Sequence, residues 1–375
     1  MTDDHRSTTV LLAHARYRRE PSAGTLRTRL ARSTLVERRG VARRRGRSTC
    51  DTPRNPRAGP PRPTCAADTT ARRSRRTPST PNRPPSRFDP VGDINPVLTA
   101  ADVTDFGRTD CVADPFLFVT DDGDWHMFFE VYTHNRDPTA AIAHAESDDG
   151  YDWTYDRVVL ETDEHLSYPY VFRWEGEHYM VPDRWAKERG PAPVTLYRAD
   201  SFPTSGRLVA TSSQPATPLH DFSPFRWEGR WWALVGDGTD LYAYYSDDLE
   251  APDWTPHEAN PVVEGRPTAA RPGGRPLVFD DRVLAFYQDC SGRYGERIHA
   301  YEITELTPST LRRTASGPTR RASNPPGGLG WNSGAMHQVD PWFDGEGWHC
   351  AVDGNLGLGY QLLGEHHWAI GIYRA

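Results

Sequence analysis

The chain is short of lysine, of paired cysteines, of long apolar runs and, through its first 87 residues, of aromatic side chains. All 12 tryptophans lie beyond Arg87, and Tyr17 is the one aromatic residue before it. Without large apolar side chains or apolar periodicity, that segment cannot bury enough surface to offset the entropy of ordering it. Its charge is equally one-sided: 22 Arg, no Lys and 6 acidic residues, a net of 22 − 6 = +16. The rest then holds 44 − 22 = 22 basic and 51 − 6 = 45 acidic residues, a net of −23, so the overall −7 joins two opposite halves. The composition of "ARRSRRTPSTPNRPPSR" predicts a disordered Arg/Pro-rich tail over residues 1–87. Such a tail can meet phosphates, but it interleaves no aromatics for base stacking and carries no binding motif, so no nucleic-acid partner is expected. A second reading makes this segment translated upstream sequence with the start near Val91, because the methionine after Met1 is Met127, inside a predicted strand.

No secretory apolar segment follows the arginines and no run of 18 apolar residues exists, which predicts a cytoplasmic protein with no membrane span. Cys50, Cys65, Cys111, Cys290 and Cys350 show neither metal-ligand nor disulfide-framework spacing, which fits a reducing compartment. No metal motif and no cofactor is expected. Beyond residue 87 a single Lys187 stands against a large acidic excess, a pattern that points to a surface adapted to high salt, where self-repulsion is screened.

What is present is a repeat. "DPFLFVTDDGDWHMFF", "YPYVFRWEGEHYMVP" and "DFSPFRWEGRWWALV" align on Phe118, Phe172 and Phe225. Looser copies start at Arg271 ("RPGGRPLVFDDRVLAFYQD") and Asp340 ("DPWFDGEGWHCAVDG"). Each reads as strand, acidic or Gly-bearing turn, strand. Further strand pairs lie between copies, as in "AIAHAESDDGYDWTYDRVVLE". Four antiparallel strands repeated five times with no helical pattern specify an all-β five-bladed β-propeller over residues 88–375. Trp125, Trp231, Trp232 and Trp348 recur on second strands and read as inter-blade packing. Trp185 and Trp331 fall outside that column and are candidate platforms for a ligand.

The residue opening each repeat changes: Asp114, Tyr168, Asp221, Arg271, Asp340. A purely structural role, with Asp capping the backbone before Pro, would favour the same residue in every blade. The variation instead favours a site at the mouth of the central funnel. Carboxylates converging near one arginine spread their pKa values and yield an acid and a base at one pH. Glycoside cleavage needs that pair. Candidate catalytic residues are therefore Asp114, Asp221 and Asp340. His165, Tyr168, Asp183, Gln288, Asp289, Tyr294 and His337 lie near inner-strand ends and can bond sugar hydroxyls. Arg271 can hold an anionic group such as a uronate or phosphate. Asp183, Asp289 and Glu130 are reserve carboxyls.

The five repeats, the "ADP" opening and "SDDGYDW" resemble the propellers of glycoside hydrolase family 43 and the arabinanase, levansucrase and invertase superfamily. "ADPFLF", "HLSYPYVF", "FRWEGRWW", "ARPGGRPLVFDDR", "QDCSGRYG", "AYEITELT" and "GWNSGAMHQVDP" resemble, over residues 110–355, the N-terminal domain of glucosamine inositolphosphorylceramide transferases and its prokaryotic relatives. The resemblance implies that Asp114 matches the hydrolase general base and Asp221 the aspartate that tunes the acid. Where the hydrolases carry a glutamate acid, the matching opening is Arg271, a departure from ordinary hydrolysis. The expected function is a carbohydrate-active propeller that binds a glycan or activated sugar, with hydrolysis or glycosyl transfer as its chemistry. The alternative is a non-catalytic glycan-binding module that assists a separate glycosyltransferase. A structural propeller with a protein partner on its acidic face ranks third.

Overall fold

The computed structural model describes residues 84–85, 88–186, 190–191, 193–211, 219–292, 294–316, 330–357 and 367–375. The predicted tail lies almost wholly outside the described residues. The described part is nearly all β, with one 3-10 turn at Ala100–Asp102 that Thr99 caps. Among the described residues no helix is long and apolar enough to cross a membrane.

After β1 (Asp89–Pro90), the first blade runs outward through β2 (Cys111–Val119), β3 (Trp125–Tyr132), β4 (Ala140–Ser147) and β5 (Thr154–Leu160). The second runs β6 (His165–Trp174) and β7 (Glu177–Ala186), with the short β8 (Gly190–Pro191) beside β7, then β9 (Thr195–Ser201) and β10 (Ser205–Thr211). The third holds β11 (His220–Trp227), β12 (Arg230–Gly236), β13 (Leu241–Ser246) and β14 (Thr255–Pro256). In the fourth, β15 (Arg271–Pro272) and β16 (Leu277–Val278) are two pieces of one inner strand on β17 (Val283–Gln288), followed by β18 (Ile298–Leu306) and β19 (Leu311–Ala315). The fifth is β20 (Val339–Phe343), β21 (Trp348–Asn355) and β22 (Trp368–Arg374), and β1 returns as its outermost strand, Asp89 opposite Arg374. All pairings are antiparallel, as expected of the five-bladed propeller.

Local sequence explains the hairpins. In the repeated "RWEG", Glu175–Gly176 and Glu228–Gly229 both hold positive φ, the conformation of a two-residue turn whose twist matches its strands. The core is a set of slabs between neighbouring blades. Phe116, Tyr170 and Trp231 share one, Trp125 and Ile372 another, Trp232 and Tyr287 a third, Phe286 and Trp348 a fourth. The four tryptophans of the second-strand column thus bury apolar area, which stabilises at roughly 25 cal/mol per Å².

In the slab between the first two blades, His126 Nδ1 lies 2.9 Å from His144 Nε2, and His144 Nδ1 lies 3.1 Å from Asp156. Phe128, Phe202 and His178 pack around this chain. Burial pushes the His144 pKa from 6.5 down to about 4, with Asp156 opposing. The folded state therefore prefers the neutral ring, and its contribution is whole above the unfolded value and lost as pH falls toward the folded one. Wild type should lose about 2 kcal/mol more than His144→Phe between pH 7 and pH 5. Chemical denaturation at both pH values measures it, and parallel losses would remove the effect.

Candidate functional site

Three inner strands carry the same irregularity. On β2 the register passes from Ala113 opposite Glu130 to Phe116 opposite Phe128, so Asp114 and Pro115 face one residue. Tyr168–Pro169 on β6 and Asp221–Phe222 on β11 repeat this two-against-one bulge. Asp114, Tyr168 and Asp221 sit at φ 53°, 46° and 62°, left-handed backbone that only Gly adopts freely. Each costs on the order of 1–3 kcal/mol and persists where surroundings over-determine it. A bulge re-aims a side chain, and the two aspartates turn their carboxylates into the mouth.

Asp114 is buried, accepts the Tyr168 N–H at 3.1 Å and faces His337 Nε2 at 3.3 Å. The other imidazole nitrogen of His337 lies 2.5 Å from Asp353, which also accepts the main-chain N–H groups of His337 and Gln338. Burial alone would lower the His337 pKa, but Asp353 and Asp114 raise it to about 9, so the ring is an imidazolium at neutral pH. Burial lifts Asp114; His337 and Arg271 pull it back while Asp353 and Asp221 push it up, and it settles at about 7. Asp114, His337 and Asp353 offer ligand atoms within 4.8 Å of one another, a spacing that can hold a cation. The proton on His337 supplies positive charge there, flanked by the two carboxyl groups of Asp114 and Asp353.

Asp221 accepts Arg271 Nε at 2.5 Å, Arg271 Nη2 at 3.4 Å and Gln288 Nε2 at 2.9 Å. Two of the three guanidinium nitrogens of Arg271 are thereby committed inside the protein. The ring of Tyr294 lies 5.0 Å from that guanidinium and 5.2 Å from the His337 ring, and Tyr294 is 45% exposed. An exposed aromatic at the mouth can stack on an apolar sugar face. Asp183 faces His220 Nδ1 at 2.9 Å; burial opposes its ionisation, but His220 and Arg271 hold its pKa below the usual range. Trp185 stacks on His220 at 6.1 Å. His165 reaches Glu130 at 3.4 Å and Thr139 at 2.9 Å.

Other candidates lie elsewhere. Tyr168 is 0% exposed, its hydroxyl tied to Ser223 at 2.8 Å and to the Gly274 main chain, so its bonding capacity is spent inside. Asp340, also 0% exposed, pairs in register with Ala351 and holds Arg275 and the Leu117 N–H further along the inner strands. In the fifth blade the mouth position belongs to His337. Asp289 bonds Ser291 and His299. Trp331 lies flat on the last blade, where a Cβ on Gly371 would come within 2.5 Å of its ring.

Sequence reasoning missed Asp353 and His220 and held Glu130 only in reserve. The available signal was the end of each second strand: "WHMFFE", "HYMVPD", "AFYQ" and "WHCAVD" end on Glu130, Asp183, Gln288 and Asp353. These side chains form a second polar ring on the strands next to the first, and Gly236 takes the equivalent place on β12, where a Cβ would meet Ala270 O at 2.1 Å.

The sequence matches the family described as Glucosamine inositolphosphorylceramide transferase 1, N-terminal, over residues 85–355. The chain belongs to this family. Its relatives include Glucosamine inositolphosphorylceramide transferase 1 of Oryza sativa subsp. japonica, 32% identical over 272 residues, covering 70% of this chain and 35% of that protein. The Arabidopsis thaliana protein of the same name is 33% identical over 255 residues, covering 66% and 32%. The chain thus spans about a third of the length of these transferase relatives. Among solved structures, the β-1,2-mannobiose phosphorylase of Listeria innocua has a TM-score of 0.57 at 14% identity, covering 76% of this chain and 96% of that one. The catalytic domain of the Coprinopsis cinerea GH62 α-L-arabinofuranosidase has a TM-score of 0.54 at 13% identity, covering 77% and 97%. This member of the transferase N-terminal family therefore shares its propeller with carbohydrate-active enzymes.

Proposed function

We propose that the funnel mouth binds the end of a glycan or an activated sugar and breaks or transfers its glycosidic bond, with Asp114 as general base. One observation carries this: a strained bulge delivers the Asp114 carboxyl, with its pKa lifted to about 7, to a mouth shared with Glu130, Asp221, Arg271 and His337. Strain and spread titration behaviour at one concave place mark functional sites. The imidazolium of His337 favours the anionic form that a base requires, and Tyr294 and Trp185 supply aromatic surface beside it. A second reading, a glycan-binding module that serves a separate glycosyltransferase, draws on the relatives, whose transferase names belong to proteins that match this chain over only about a third of their length.

A glycan array followed by turnover assays on the bound sugars separates the two. Binding with turnover is expected. Binding without turnover would move the function to the second reading, and no glycan binding at all would sink both.

A further inference from the structure

The mouth gathers five carboxyl groups, and four have close hydrogen-bond or ion-pair partners among arginine, histidine, glutamine and main-chain N–H groups. Asp221 accepts from Arg271 and Gln288, Asp183 faces His220, and Asp353 takes two main-chain N–H groups beside His337. Asp114 has the Tyr168 N–H and the His337 ring. Glu130 differs. It faces His165 Nε2, 3.4 Å from Oε1, and among the described residues no arginine pairs with it. His165 is itself biased to the neutral ring by burial. Burial and then the nearby Asp114 charge push the Glu130 pKa well above the ordinary carboxyl range. Glu130 stands on β3 opposite Ala113, the residue before Asp114, so one blade carries both carboxyls at the mouth on adjacent strands.

Building on the glycosyl chemistry proposed for this mouth, we propose that Glu130 is its proton donor, standing on the first blade although the fourth blade opens with Arg271. As the bond from the anomeric carbon to the leaving oxygen breaks, its electron pair stays on that oxygen, which takes the proton of Glu130. The incoming water or sugar hydroxyl forms the new carbon–oxygen bond and yields its proton to Asp114. Glu130 ends as carboxylate and Asp114 as carboxylic acid, and solvent at the open mouth carries the proton back. Asp221, held by three N–H groups, orients the sugar.

The test compares the full chain with Glu130→Gln on dinitrophenyl and methyl glycosides of mannose, xylose and arabinofuranose, in water and with added methanol as acceptor. Dinitrophenolate departs without a proton and methoxide does not. Glu130→Gln should lose about 10²–10⁴-fold on methyl glycosides and less than about tenfold on dinitrophenyl glycosides. The alkaline limb of the wild-type pH profile should vanish in Glu130→Gln and persist in Glu130→Asp, which keeps a proton. An equal loss on both leaving groups, or an unchanged alkaline limb, overturns the assignment and leaves the glycosyl reading standing. Wild type inert to every glycoside overturns both. Infrared difference spectra of wild type against Glu130→Gln at neutral pH give an independent readout: a protonated carboxyl band is expected, and its absence overturns the proposal whatever the turnover.

Discussion

Replacing Asp114 by Asn should cut turnover by about 10²–10⁴-fold while leaving glycan binding intact. Asn is the fitting substitute because it tolerates φ 53° better than Ala and its amide oxygen can still accept the Tyr168 N–H. What disappears is the charge facing His337 and the capacity to take a proton. In wild type the base works only when ionised, so kcat/KM should fall about tenfold per pH unit below the Asp114 pKa of about 7. The acid limb should be absent from the residual activity of Asp114→Asn. Profiles of both proteins from pH 5 to pH 9 check this. Activity within about threefold of wild type would remove Asp114 from the chemistry.

The second large effect concerns stability. Arg275 leaves the fourth blade between β15 and β16 and crosses the axis. Its Nε and Nη2 hold Asp340 of the fifth blade, Nη1 donates to Val171 O of the second, and Nη2 also donates to Leu117 O of the first. The rings of Phe116, Tyr170 and Trp342 lie 5.2–5.8 Å from its guanidinium. Arg275→Met leaves a fully buried Asp340 with only the Leu117 N–H and should cost about 3–5 kcal/mol, a melting shift on the order of 10 °C. Arg275→Met combined with Asp340→Leu should recover part of that, since no charge is then stranded, although the carbonyls of Leu117 and Val171 stay unpaired. A single variant melting within about 2 °C of wild type would contradict this account.

The fold was legible because its signals are local and repeated. Phe and Trp columns mark the slabs, and Glu-Gly turns mark the hairpins. The site was legible only in part. Asp114, Asp221 and Arg271 open their blades at the mouth as the alignment places them. In the fifth blade the Asp-Pro of Asp340 imitates the Asp-Pro of Asp114, yet Asp340 pairs without a bulge and the mouth falls to His337 three residues earlier. A bulge is a backbone event, and nothing in the letters of Tyr168–Pro169 announces positive φ on a tyrosine. Of the second ring, Asp183 and Gln288 were named and Glu130 held in reserve, while Asp353 escaped because finding it requires knowing which second-strand residue faces the mouth. Arg275 escaped because its three hydrogen-bonding partners, Leu117, Val171 and Asp340, are distant in sequence. Gly274 beside it, where a Cβ would meet Val339 O at 1.8 Å, was the trace it left.

Arg275 and the internal hydroxyl of Tyr168 span the axis below the mouth, tying together inner strands of all five blades. A tunnel would let a long polymer thread through and be cut at any interior point. A cup with one door meets a chain only at its tip, and whatever is released or handed on leaves by the way it came. Under the glycosyl chemistry proposed for the mouth, such a cup would shorten or extend chains one end unit at a time.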